Sequence, residues 1–161
     1  MKNKGTLFIT HAAIIAALYV ALTFLANLLG LASGAIQIRI SEALTILPYF
    51  TPAAIPGLFV GCLLSNLLTG GCVIDIIFGS LATLIAAFAS YYIRRYKYLV
   101  PLPPILINTL VVPFILVYGY GVPFSAFFIT MFTVAIGEVI SCGVLGLLLM
   151  RVLDKYKTLL F

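Results

Sequence analysis

The sequence predicts an all-α integral membrane protein, a single domain over residues 1–161 built as a six-transmembrane-helix bundle. Three observations predict it. The 161 residues are 64% hydrophobic and only 8% charged, with a mean hydropathy of +1.27, whereas a soluble domain needs far more polar surface. Apolar runs recur at or near the roughly 20 residues that a helix needs to cross hydrocarbon. The basic residues fall in clusters whose spacing fits crossings between them.

The first span covers about residues 6–29. Its lysines and apolar core resemble a signal peptide, but the core is longer than a secretory leader's and further spans follow, so it reads as a retained helix. Ala12 and Ala16, with Ala13, Ala17 and Ala21 beside them, give it a smooth face. Such small-residue spacing serves packing within a bundle or docking of another membrane protein. A short run at about 40–51, broken by Pro48 and Pro52, reads as a short helix tied to the next. The third span, about 52–69, carries a second small stripe of Gly57, Gly61, Ser65 and Thr69. The remaining spans lie at about 73–93, 102–118 and 122–150. No internal repeat or soluble linker divides them.

Orientation follows from charge. Lys2 and Lys4, then Arg94, Arg95 and Lys97, then Arg151, Lys155 and Lys157 form three clusters within a net charge of +5. The positive-inside rule places all three in the cytoplasm only with six crossings; five would strand one cluster. Both termini and the turns near Pro48 and Arg94 are then cytoplasmic in a multi-pass protein of the cell membrane. The segments near 30–40, 69–74 and 119–122 face outward. Arg39 is the exception to the charge rule.

An ionisable group within a span costs roughly 2.5–3.5 kcal/mol on insertion scales, so it is kept for a task or held by a partner. Glu138 lies about 21 Å along the helix from Phe124 and about 20 Å from Arg151, near the middle of the last span. Asn108 is about 16 Å from either end of the fifth span if helix extends from Lys97 to Gly119, so the two can share one site. Thr130, Thr133, Gly137 and Ser141 gather on one side of the last helix with Glu138 at their rim. Glu138 and Asn108 serve either as interhelical polar glue or in a substrate or proton path. Asp75 falls at the outer start of the fourth span, where an acid also complements the helix dipole. Asn66 caps or bonds backbone, or meets a ligand. Gln37, Arg39, Ser41 and Glu42 are expected together at the outer surface, as a helix cap with an exposed ion pair or as the teeth of a polar lid.

Other chemistries find little support. Cys62, Cys72 and Cys142 show no CxxC spacing or histidine pair, so no metal site or redox pair is expected. His11, the sole histidine, is shallow and lacks a second ligand at metal spacing. That also argues against a serine peptidase or an HExxH metallopeptidase. A small proton-coupled exporter working through Glu138 is the main rival reading, opposed by the polar outer segment and the lack of repeat symmetry.

The run "QIRISEALTILPYFTPAAIPGLFVGCLLSN", Gln37 to Asn66, resembles the signature region of the QueT family, substrate-binding (S) components of energy-coupling factor transporters. The alanine stripe, "DIIFGSLATLIAA" from Asp75 and a last helix carrying Glu138 extend the likeness over nearly the whole chain. The resemblance implies a ligand pocket near the outer side, covered by the loop after the first helix. It implies as partners a transmembrane coupling protein and two cytoplasmic ATPases, with Ala13, Ala17 and also Ala12, Ala16 and Ala21 as docking residues. The chain has no GxxxxGK[ST] motif, so it is not expected to be an enzyme or to hydrolyse ATP itself. No cofactor and no nucleic-acid partner are expected.

The ligands implied are 7-deazaguanine precursors of queuosine, above all the one with an aminomethyl group. One carboxylate can accept the paired N–H donors of a guanine-like edge, at roughly 1.5–3 kcal/mol per charge-assisted bond. The ring oxygen needs a donor such as Asn108, Asn66 or Gln37, and the ring a neighbour such as Tyr118, Tyr120 or Tyr49. The expected division gives Glu138 the guanine edge and Glu42 or Asp75 the amine.

Overall fold

The computed structural model describes residues 4–31 and 36–157. Lys2, from the first basic cluster, and residues 32–35 of the loop after the first helix lie outside the described residues. Every regular element among the described residues is helical. The first helix, Lys4–Leu28, is followed by a 3₁₀ helix, Ile40–Tyr49, and by the third helix, Ala54–Leu68. The fourth, Asp75–Tyr92, opens with a π turn at Asp75–Gly79. The fifth is Leu102–Tyr120, and the sixth, Phe124–Asp154, contains a π stretch at Val139–Leu145.

Among the described residues, four helices are long and apolar enough to cross a membrane: Lys4–Leu28, Asp75–Tyr92, Lys97–Tyr120 and Phe124–Asp154. Ala54–Leu68 is equally apolar but has 15 residues. Large apolar side chains such as Ile9, Phe128, Ile129 and Phe132 point away from the bundle. That is the arrangement of a multi-pass protein whose outer surface meets lipid tails. The α-helical part of the fifth segment begins at Leu102, among prolines tolerated in a first turn. Asn108 therefore sits six residues, about 9 Å, into that helix rather than at its middle. The helix ends at Gly121, whose φ of +71° is the left-handed cap that glycine supplies without strain.

The short second segment is not a surface lid. Its sequence, "ISEALTILPY", is apolar around most of its circumference, so it must be enclosed. Ser41 through Pro48 are all buried, and the segment packs against the first, third, fourth and sixth helices. At the 2.0 Å rise of a 3₁₀ helix its ten residues span about 20 Å through the bundle's middle. Leu44, Ile46 and Leu47 join Ile15, Tyr19, Leu58, Ala87, Val100 and Met150 in the core. Glu42 is consequently 1% exposed, not at the surface as the sequence suggested. Ser41 makes no cap; Thr23 donates to its hydroxyl at 2.9 Å.

The two small-residue stripes are the halves of one interface. A Cβ on Gly57 would lie 2.8 Å from the Ala12 carbonyl, and one on Gly61 2.7 Å from Tyr19 Cβ and 3.1 Å from Ala16 Cα. Ala16 is buried there, whereas Ala13, Ala17 and Ala21 are exposed on the other side of the helix. At one end of the bundle Tyr49, Arg94, Arg95 and Lys157 line a common cleft. At the other, Gln37, Arg39, Gly71, Asp75 and Tyr120 line a cavity.

Gly61→Leu should lower stability in detergent by about 1–3 kcal/mol or more, because backbone as well as side chain must move aside. Ala17→Leu, on the exposed face, should change it by no more than about 0.5 kcal/mol. Thermal unfolding of both variants checks this, and equal melting temperatures would refute the packing assignment.

Candidate functional site

The cavity at the end away from the basic cleft holds about 370 Å³, within the range of small-molecule pockets. Its wall combines the inner face of the first helix, the extended Gln37–Arg39 stretch, the turn at Gly70 and Gly71, and one side of the fifth helix. Gly137 allows the extended stretch to rest on the sixth helix, since a Cβ there would overlap the Gln37 carbonyl.

Asp75 is the cavity's carboxylate. Its Oδ2 accepts a 2.8 Å hydrogen bond from the Tyr120 hydroxyl, and its backbone carbonyl accepts one from Asn66 Nδ2 at 3.2 Å. The π turn that presents Asp75 depends on Gly79, where a Cβ would fall 2.9 Å from Asp75 Oδ1 and 3.1 Å from Asn66 Nδ2. Such turns recur at functional sites because they re-aim side chains. Arg39 is the cavity's cation. Burial opposes its charge, but the negative charge of Asp75 leads the effects that outweigh burial and raise its pKa above the ordinary guanidinium value.

A second polar layer lies behind the cavity wall. Asn108 Nδ2 donates to Glu138 Oε1 at 3.1 Å and to Glu42 Oε2 at 3.5 Å, so one amide bridges two buried carboxylates. Tyr19 donates its hydroxyl to Glu42 Oε1, and Cys142 Sγ lies 3.1 Å from Glu138 Oε2. Each carboxylate oxygen thus has one neutral donor. Glu42, Glu138 and Cys142 also bring one potential metal-ligand atom each to within 4.8 Å of one another. This grouping is invisible to local spacing, because Glu42 and Glu138 are far apart in sequence.

Of the residues singled out from sequence, Gln37, Arg39, Asn66 and Asp75 line the cavity. Asn108, Glu42 and Glu138 form the layer behind it. Tyr118 joins neither: it is 68% exposed on the outer surface, and Tyr120 lines the cavity instead. Tyr49 lines the basic cleft at the far end. Tyr19 was not singled out, yet its side chain faces the cavity and its hydroxyl reaches Glu42, joining the two layers. The signal was its place one turn beyond Ala12 and Ala16 on the packing face. Cys142 in addition accepts from Thr45 Oγ1 at 3.4 Å.

Comparison with known proteins adds two findings. The chain is 41% identical over 85 residues to the queuosine precursor transporter QueT of Lactococcus lactis subsp. cremoris (strain MG1363), a match covering 53% of this chain and 50% of that protein. The matched region thus spans about half the relative's length. No solved structure gives a significant match. The family model described as QueT transporter matches residues 9–155, nearly the whole membrane bundle, so the chain belongs to the QueT transporter family.

Proposed function

We propose that this transporter-family protein is the substrate-binding component of an energy-coupling factor importer and captures a 7-deazaguanine precursor of queuosine. The observation that carries the reading is the pairing of an aromatic, acid-bearing cavity with a deeper carboxylate–amide–carboxylate bridge. A relative at 41% identity is named for queuosine precursor transport. The chemistry of this pocket suits such a ligand.

In the proposed pose the guanine-like edge is directed toward the Glu138–Asn108 layer. There a carboxylate accepts its paired N–H groups and an amide donates to its ring oxygen. Asp75, rather than Glu42, takes the aminomethyl group, because Asp75 lines the cavity while Glu42 lies in the layer behind it. Tyr19 stands between the layers, so the ring must turn its side chain aside to reach Glu138. Gln37, Arg39 and Asn66 complete the polar rim, and Tyr120 offers an aromatic edge.

The six helical segments are assigned as six crossings, with the basic end and both termini in the cytoplasm and the cavity facing outward. Docking on the transmembrane coupling protein uses the exposed Ala13, Ala17 and Ala21. Ala12 and Ala16 drop out of that face, since they pack against Gly57 and Gly61. Two cytoplasmic ATPases supply the energy.

Titrating the purified protein with the aminomethyl and the nitrile deazaguanine separates the roles. Glu138→Gln should weaken both ligands at least about tenfold, a loss of one charge-assisted bond. Asp75→Asn should weaken the aminomethyl ligand by a similar factor and the nitrile hardly at all. Parental affinity in Glu138→Gln, or equal losses for both ligands in Asp75→Asn, would overturn the pose.

Replacing Ala13 and Ala17 together by leucine should leave ligand affinity within about twofold and abolish uptake into cells carrying the coupling protein and ATPases. Normal uptake by that variant would remove this face from the coupling mechanism.

A further inference from the structure

The basic end of the bundle carries a second concavity that the transport reading does not use. Tyr49 at the end of the 3₁₀ helix, Tyr92 at the end of the fourth helix, Arg94 and Arg95 just after it, and Lys157 just past the sixth line an open cleft of about 500 Å³. Among the described residues, three cations share it with two phenols and no acid. The nearby carboxylate, Asp154, is already paired with Lys97. Two of the cations are held against aromatic rings rather than anions: the Arg94 guanidinium sits 3.8 Å from the Tyr91 ring centre and Lys157 Nζ 5.3 Å from that of Tyr49. Such stacking fixes their position and leaves their charge available.

The surroundings fix the depth of this cleft in a membrane. Tyr92, Tyr96, Tyr98 and Tyr156 are 55–79% exposed around it, and exposed tyrosines mark the headgroup level of membrane proteins. Below them on the fourth helix the exposed residues become Phe88, Ile85 and Leu81, as befits contact with acyl chains. An anion presented at this level with an apolar tail beneath it is a phospholipid.

We propose that the Tyr49–Arg94–Arg95–Lys157 cleft binds the phosphodiester headgroup of an anionic phospholipid. The guanidinium forks and Lys157 take the phosphate oxygens and the tyrosine hydroxyls bond the headgroup. Its acyl chains run along the fourth helix. Basic clefts between helix ends are well suited to this task, because several cations held close together there attract the anionic leaflet.

Native mass spectrometry of the full chain, incubated with equal amounts of phosphatidylglycerol and phosphatidylcholine, tests the site. The parent should retain phosphatidylglycerol with a preference of about tenfold or more. The variant Arg94→Gln/Arg95→Gln/Lys157→Gln should lose that preference. A control of equal charge loss at the same end, Lys4→Gln/Arg151→Gln/Lys155→Gln, should keep it. No headgroup preference in the parent, or equal loss in both triple variants, would reduce the effect to net charge and overturn the site. A further arm adds inorganic phosphate: displacement of the lipid at low millimolar phosphate would make the ligand a soluble anion and likewise overturn it. If instead lipid retention survived in the cleft variant while co-purification with a cytoplasmic protein was lost, the cleft would be a protein contact, not a lipid site.

Discussion

The bundle is organised around one amide. Asn108 on the fifth helix holds Glu42 on the 3₁₀ segment and Glu138 on the sixth helix, and Tyr19 ties the first helix to the same group through Glu42. Four of the six helical segments therefore meet in a single hydrogen-bonded network. In lipid this matters more than it would in water, because apolar faces give helices no hydrophobic reason to choose one neighbour over another. Buried carboxylates do choose: each needs its donors, and removing one partner from such a set typically costs several kcal/mol. The register of the bundle is thus set where its polarity is concentrated.

Small residues decide how closely the network can be assembled. Gly57 and Gly61 bring the third helix onto the backbone of the first, and that approach sets the position of Tyr19. Gly137 does the same for the extended Gln37–Arg39 stretch, which crosses the sixth helix one residue before Glu138. Gly79 leaves room for Asp75 and Asn66 to face the cavity. At each of these places a polar side chain is positioned by a neighbouring glycine that permits contact. The π stretch that follows Glu138 completes the pattern by redirecting the helix just after its carboxylate.

Much of this was legible in the sequence, and what was not has physical causes. The membrane class, the approximate limits of the helical segments and the two small-residue stripes follow from composition and periodicity, which are local properties. The meeting of Asn108 with Glu138 followed from depth arithmetic, although the segment from Lys97 opens as a 3₁₀ turn and becomes α-helical only at Leu102. Glu42 was misplaced because a charged residue beside Arg39 and Ser41 looks like surface, and only the enclosure of the whole 3₁₀ segment reveals otherwise. Tyr19 was missed because a tyrosine in an apolar helix carries no local sign of the distant carboxylate it will meet. Tyr118 and Tyr120 differ by two residues, or about 200° around a helix. Sequence cannot say which faces inward until the neighbours are fixed.

The first helix joins two requirements that are usually separate. Its inner side carries Ala12, Ala16 and Tyr19 against the bundle, and its outer side carries Ala13, Ala17 and Ala21, open to whatever lies beside it. If ligand turns Tyr19 away from Glu42, as the proposed pose requires, the helix loses its tie to the carboxylate network while keeping the Thr23–Ser41 hydrogen bond and its backbone contact with Gly57 and Gly61. Close glycine–alanine contacts resist separation of the two helices but oppose small sliding or rotation much less, because few side chains interlock. A ligand-dependent hydrogen bond on one side of such a helix can therefore bias the angle at which its other side is presented. That coupling needs no long chain of intermediates: the residues concerned, Ala17 and Tyr19, lie within one turn of each other.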